Sequence, residues 1–196
     1  MTVTVYCASS AQIDQSYFEA TRHLAQHIVQ ANITVLFGGG AEGLMGELAN
    51  VIVSQDGSIR GIMPRFMKNI EWAHPKVTDF IFTETMAERK ELLFTDTDAI
   101  IALPGGTGTL EELLEVITMK RLGKFLKPII ILNTNNYYDP LKEMLQRCVD
   151  QKLVHPNHLK MWTFVDTPQE VIPTILATPD WEENALSYAT LKQTDL

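Results

Sequence analysis

The stretch Asp98-Ala99-Ile100-Ile101-Ala102-Leu103-Pro104-Gly105-Gly106-Thr107-Gly108-Thr109-Leu110-Glu111-Glu112 decides how the chain folds. Its first six residues are apolar enough for a strand buried on both faces, and Pro104 ends the hydrogen-bonding ladder. Three glycines follow within four residues. Without a Cβ they permit a sharp turn that points successive backbone N–H groups into one concavity. Thr109 is expected to start the next helix, whose amino end carries about half a positive charge, so the turn is suited to hold an anion such as phosphate. A tight strand-to-helix connection with no ligand would have the same composition.

The same grammar appears earlier. Ile33 to Phe37 reads as a buried strand, followed by Gly38-Gly39-Gly40-Ala41-Glu42-Gly43-Leu44-Met45-Gly46 and a helix to about Ser54. The spacing Gly38-x-Gly40-x-x-Gly43 satisfies a dinucleotide fingerprint. That pattern also requires an acid at the end of the following strand. Here that strand, Ile59 to Met63, ends in Pro64-Arg65, so a nicotinamide or flavin is not expected.

Outward from these loops, strands and helices alternate. Residues 2 to 7 form a first strand, with Ser9 and Ser10 in the loop after it. A helix from Ser16 to Ala31 places Phe18, Leu24, Ala25, Ile28 and Val29 on one face and His23 and His27 near the other. Residues 64 to 76 read as an irregular flap containing Met67, Trp72 and His74. Val77 to Thr83 is a further strand, and Thr85-Met86-Ala87-Glu88 opens the next helix with a capping box. The helix from Thr109 to Arg121 puts Leu110, Leu113, Leu114 and Ile117 on its core stripe. Pro128 to Leu132 and Trp162 to Val165 are the last strands, and helices follow Asp139-Pro140 and Thr167-Pro168-Gln169-Glu170. This rhythm predicts an α/β, Rossmann-like, doubly wound parallel sheet of about seven strands with helices on both faces, as one domain over residues 1–179 with a polar tail over 180–196. Ligands of such sheets bind at the carboxyl ends of the strands, where both glycine loops fall.

Composition narrows the function. Sixteen Lys and Arg against 24 Asp and Glu give a formal net charge of −8, which argues against nucleic acid or an anionic membrane surface as partner. A small phosphate remains compatible, since backbone dipoles and one or two cations suffice for it. No apolar run approaches the roughly 20 residues of a membrane span, and the first residues lack signal-peptide character, so a cytoplasmic protein is expected. Cys7 and Cys148 are expected as reduced, buried thiols, and neither has metal-ligand spacing around it.

With both loops in view, the chain resembles the LOG ("Lonely Guy") family of cytokinin riboside 5′-monophosphate phosphoribohydrolases, long labelled possible lysine decarboxylases. Gly38-Gly39-Gly40 with Gly43-Leu44-Met45-Gly46 is similar to the family's GGG-x-x-GLMG loop, and Pro104 to Glu112 fits its PGGxGTxxE motif. Met86-Ala87-Glu88-Arg89-Lys90 resembles its M-H-x-R-K motif with Ala87 in place of His, and Thr107 stands where plant members usually carry Tyr. The likeness runs in register from about residue 3 to residue 155. It implies cleavage of the N-glycosidic bond of AMP or an N6-substituted AMP to free base and ribose 5-phosphate, by a Rossmann-like homodimer, without metal or cofactor. It further implies Arg89 and Glu112 as the catalytic pair. Contacts to the substrate are implied for Gly38, Gly39, Gly40, Met45, Glu71, Lys90, Gly105, Gly106, Thr107, Gly108, Thr109 and Thr118.

The residues themselves leave two readings open. A carboxylate such as Glu112 can stabilise an oxocarbenium-like state or activate water, and an arginine can clamp phosphate or ribose. Yet Thr109-Leu110-Glu111-Glu112 is also a capping box, and Arg89 alone reads as a solvated cation. A nonenzymatic nucleotide or molybdenum-cofactor carrier using the same loops is the alternative function. A pyridoxal phosphate decarboxylase needs a Schiff-base lysine, and the chain offers no recognisable site for one.

Overall fold

In the computed structural model, which describes residues 1–69, 73–182 and 185, successive side chains of each strand divide between two apolar layers. The strands are β1 (Thr2–Tyr6), β2 (Thr34–Phe37), β3 (Ile59–Pro64), β4 (Phe80–Thr83), β5 (Ala99–Ala102), β6 (Ile129–Leu132) and β7 (Thr163–Val165). The helices are α1 (Gln15–Gln30), α2 (Gly43–Ser54), α3 (Met86–Thr95), α4 (Thr107–Arg121), α5 (Asp139–Asp150) and α6 (Pro168–Ala177). Val3, Val5, Val35, Phe37, Ile101 and Ile130 face the layer formed with Leu24 and Ile28 of α1, Leu44 and Leu48 of α2, and Val171 of α6. Tyr6, Leu36, Ile62, Ile100, Ala102 and Ile131 face the other layer, with Leu93 of α3 and Leu113, Val116 and Ile117 of α4. The alternation follows from the two-residue period of a strand, and burial on both faces explains why β5 and β6 are uninterrupted apolar runs.

All seven strands pair in parallel in the order β4-β3-β2-β1-β5-β6-β7. The chain winds outward from β1 to β4, returns to the other side of β1 as β5, and winds outward again. The expected doubly wound α/β architecture is therefore present, with its topological switch between β1 and β5.

Several expectations are corrected in detail. α4 starts at Thr107 with Gly106 as its N-cap, two residues before the expected Thr109. The Thr109 side chain is instead turned onto Gly105, where a Cβ would collide with it. Leu114 is 41% exposed, so the core stripe of α4 is Leu113, Val116, Ile117 and the stem of Lys120. β4 begins at Phe80; Val77 is buried in the turn before it. The flap holds a short 3-10 helix, Arg65–Asn69, and an isolated bridge of Ala73 to Gly40. Cys148 is half-buried and only Cys7 is fully enclosed. Capping boxes form at both expected places, Thr85 with Glu88 and Thr167 with Glu170. Most of the tail over 180–196 lies outside the described residues.

Candidate active site

The loops at the carboxyl ends of the strands enclose a cleft of about 360 Å³. It opens over the switch point between β1 and β5, where the two halves of the winding diverge and leave a crevice. β1 contributes Tyr6 and the following Cys7, Ala8 and Ser9; the β2 loop contributes Gly38, and α2 Met45. Met67 comes from the flap and Met86 and Arg89 from α3. Gly106 to Thr109, Glu111 and Glu112 come from α4 and its N-cap.

The two charged residues singled out in sequence meet here. Nη1 of Arg89 donates to Oε1 of Glu112 at 2.5 Å, with the two side chains 11% and 13% exposed. Arg89 Nε donates to the Ile62 carbonyl at 3.2 Å, and Nη1 also lies 3.6 Å from Met86 Sδ. A guanidinium held on three sides is oriented, unlike a solvated surface cation. Because α4 begins at Thr107, Glu112 is its sixth residue, too far along to bond back to an N-cap. The capping-box reading of Glu112 is thereby overturned. The cap spacing misled because Thr109, its supposed start, lies inside the helix.

Around this pair the walls are apolar. Burial holds the Tyr6 phenol above the ordinary tyrosine range, with the Glu112 charge adding to the effect, so Tyr6 presents a neutral O–H. Burial and then Glu112 likewise push the Cys7 thiol up, making it an inert wall rather than a nucleophile. No motif in the sequence marks Tyr6, Cys7 or Met67 as site residues, and Met86 enters only as the first residue of the motif that carries Arg89. For Tyr6 and Cys7 the available signal is position: the end of the strand beside the switch point and the residue after it line the crevice whatever their type.

The two glycine loops do different work. At the amino end of α2, Leu44 N–H and Met45 N–H donate to the Ala8 carbonyl at 2.9 and 3.3 Å, so those amides tie the β1 loop rather than face the cleft. Gly43, at φ +60°, permits that approach: a Cβ there would lie 2.6 Å from Ser10 O and Ser9 C. The paired-cradle expectation is corrected to a single cradle. At the amino end of α4, the N–H groups of Thr107, Gly108 and Thr109 have no acceptor among the described residues, and a Cβ on Gly106 or Gly108 would meet open space. Unpaired first-turn amides together with the helix dipole are what an anion requires. Gly38 lies against the pair itself, since a Cβ there would stand 2.6 Å from Arg89 Nη2.

Other residues named from sequence lie elsewhere. Gly39, at φ +87°, accepts from His74 N–H at 2.9 Å, and Gly40 bridges Ala73; both brace the flap rather than line the cleft. Gly105 sits behind the cradle, its carbonyl bound by the Tyr137 hydroxyl. Lys90 pairs with Glu111 at 2.5 Å and Glu115 at 3.2 Å, on the outer side of the α3–α4 contact. Glu111 and Glu115 thus share a face as their spacing implies, although Glu111 also reaches the rim of the cleft. Thr118 lies on the exposed side of α4, in a shallow groove with Leu110, Leu114 and Met119. Glu71 and Trp72 lie outside the described residues.

Comparisons with known proteins agree with this architecture. Residues 45–175 match the family model described as "Possible lysine decarboxylase". The chain is 38% identical over 152 residues to the cytokinin riboside 5′-monophosphate phosphoribohydrolase LOG2 of Arabidopsis thaliana, covering 78% of this chain and 71% of that protein. It is 34% identical over 175 residues to LOG5 of the same plant, covering 89% and 77%. Among solved structures, the molybdenum cofactor binding protein of Rippkaea orientalis superposes with a TM-score of 0.69 at 21% identity, over 90% of this chain and 95% of that one. The molybdenum cofactor carrier protein of Chlamydomonas reinhardtii does so with 0.68 at 18%, over 90% and 98%. At those identities the structural likeness is one of fold, whereas the sequence relatives are hydrolases of N-glycosyl bonds. The chain belongs to the LOG family.

Proposed function

We propose that the protein is a nucleoside 5′-monophosphate phosphoribohydrolase, cleaving AMP or an N6-substituted AMP of the cytokinin riboside type to free base and ribose 5-phosphate. The observation that carries this reading is the enclosed Arg89–Glu112 pair standing next to the open cradle of α4. In this scheme the N–H groups of Thr107, Gly108 and Thr109 bind the 5′-phosphate and the helix dipole favours its charge. Anchored there, the ribose lies over Glu112, whose carboxylate stabilises positive charge developing at the anomeric carbon and directs water to it. Arg89 fixes that carboxylate and offers its remaining N–H donors to the sugar or phosphate, a positioning effect that can supply several kcal/mol. Met45, Met67 and Met86 give the base a soft apolar wall. The departing base takes a proton from solvent or from a group on the substrate side.

A decarboxylase reading gains no support from the lysines. Lys120, buried at 1% exposure, is the one fully buried lysine among the described residues; it bonds the Lys127 carbonyl at the far end of α4, away from the cleft. A carrier of molybdenum cofactor would need the cradle but not the pair, so retention of Arg89 and Glu112 in contact favours hydrolysis. The resemblance to the family extends the reading to a homodimer, and the exposed Leu114 groove of α4 is the apolar face that supports it. A cytoplasmic location is part of the same reading, in keeping with two free cysteines. No helix among the described residues is long and apolar enough to cross a membrane.

The test is incubation of the purified protein with AMP and with isopentenyladenosine monophosphate, followed by chromatography for free base and ribose 5-phosphate. Release from one or both is expected. No base from either, together with tight retention of a pterin nucleotide, would replace the hydrolase by the carrier.

A further inference from the structure

The segment between β6 and α5 contains two adjacent tyrosines that no part of the scheme above uses. Both reach back to the cradle loop. The Tyr138 hydroxyl donates to the Leu103 carbonyl at 2.7 Å, and the Tyr137 hydroxyl donates to the Gly105 carbonyl. Between them, the Pro104 carbonyl accepts from Ala8 N–H at 3.1 Å. Three consecutive carbonyls of the loop are therefore held by hydrogen bonds from outside it.

A trans peptide fixes its N–H antiparallel to its C=O. No cis peptide is present among the described residues, so holding the Gly105 carbonyl toward Tyr137 aims the Gly106 N–H the other way and sets the plane from which the α4 cradle begins. Glycine at 105 and 106 would otherwise leave those planes free to rotate. The support beneath the tyrosines is itself built. Asn133 Oδ1 accepts from Tyr138 N–H at 2.7 Å while its Nδ2 donates to Asp139 at 2.9 Å. Asn135 and Asn136, at φ +55° and +59°, make the left-handed turn that delivers both rings to one side. The Tyr137 ring stands edge-on to Tyr138 at 4.9 Å and to Tyr17 of α1 at 6.2 Å. Burial keeps the Tyr138 phenol protonated and so a permanent donor.

We propose that Tyr137 and Tyr138 are positioning residues for the anion subsite: by binding the carbonyls that precede Gly106, they hold the cradle amides toward the phosphate of the substrate. This rests on the phosphoribohydrolase reading. The prediction is selective, because losing a hydroxyl that aims backbone dipoles weakens phosphate binding and leaves the apolar wall for the base untouched.

The experiment is calorimetric titration of the full chain with ribose 5-phosphate and, separately, with adenine, for the unaltered protein, Tyr137→Phe and Tyr138→Phe, with thermal melts of each. Tyr137→Phe keeps the ring and its edge-on contacts at an exposed position, so it remains informative if the buried Tyr138→Phe fails to fold. The expected result is a ribose 5-phosphate Kd raised about tenfold in Tyr137→Phe, the worth of one hydrogen bond, with the adenine Kd within about twofold and little change in melting temperature. An unchanged ribose 5-phosphate Kd in Tyr137→Phe, while the unaltered protein binds it, overturns the positioning role alone. Parallel loss of both ligands with a lowered melting temperature overturns it in favour of general loosening. Failure of the unaltered protein to bind ribose 5-phosphate removes the anion subsite and the proposed function with it.

Discussion

Gly38→Ala is the most exacting test of the site, because it adds one methyl group beside the reacting pair without removing any group that would contact substrate. An ideal Cβ at position 38 lies 2.6 Å from Arg89 Nη2 and 3.1 Å from Met45 Sδ. Ordinary contact needs about 3.5 Å, so the guanidinium must retreat by roughly 1 Å. It has little room to do so, since Nε is tied to the Ile62 carbonyl and Nη1 to Glu112, with the residue 9% exposed. Retreat opens the 2.5 Å contact that holds the Glu112 carboxylate, and a displacement of about 1 Å in a catalytic constellation costs on the order of 100-fold in rate. Overpacking should lower stability by about 1 to 3 kcal/mol, a modest shift in melting temperature. Steady-state release of free base from AMP or isopentenyladenosine monophosphate, measured beside a thermal melt, separates the two effects. We expect kcat to fall by about two orders of magnitude in a folded protein with KM changed less, because the added methyl displaces the guanidinium and leaves the Thr107 to Thr109 amides that would bind the phosphate in place. Full kcat in Gly38→Ala would refute the reasoning, since Arg89 would then be free to move without consequence.

Glu112→Gln keeps the shape of the side chain and its contact with Arg89 but removes the charge; turnover should fall by about 100-fold or more in a protein that still melts cooperatively, whereas undiminished turnover would remove Glu112 from the chemistry. Lys120 gives a pH signature away from the cleft. Burial lowers its pKa to about 8, so in the native state it loses its proton before the unfolded chain does; stability should rise from about pH 8 towards pH 10 by up to roughly 3 kcal/mol, read as an increasing melting temperature. Above pH 10 the buried tyrosines Tyr6 and Tyr138, whose pKa values are raised, give back stability as the unfolded chain ionises first. Lys120→Met should flatten the rise, and a profile identical to the unaltered protein would exclude the buried lysine as its source. Leu114→Arg places a charge in the exposed groove of α4; sedimentation should show a dimer become a monomer, while a monomer in the unaltered protein would dispose of the dimer altogether.

What could be read from the sequence was what depends on local repetition. The alternation of apolar runs with helical periodicity and the absence of hairpin turns dictated a parallel sheet covered on both faces, because such strands have nowhere else to bury their side chains. Glycine clusters after β2 and β5 marked both loops, and motif likeness singled out Arg89 and Glu112, 23 positions apart. The division of labour among these features was decided only in three dimensions. The Gly38–Gly46 and Gly105–Thr109 loops are nearly alike in composition, but Ala8 occupies the amides of the first and leaves those of the second open. Glu112 fits a capping box in sequence, and only the start of α4 at Thr107 turns it toward Arg89 instead. Leu114, apolar and helically spaced with Leu113, stays outside the core because α4 leans the neighbouring stripe of Val116 and Lys120 onto the sheet. Tyr137 and Tyr138 carry no motif for their contact with a loop some 30 residues earlier. Sequence specifies which groups a backbone can offer at each step along the chain; which of them face one another depends on packing between elements distant in sequence, and that is where an anion cradle is distinguished from an ordinary turn.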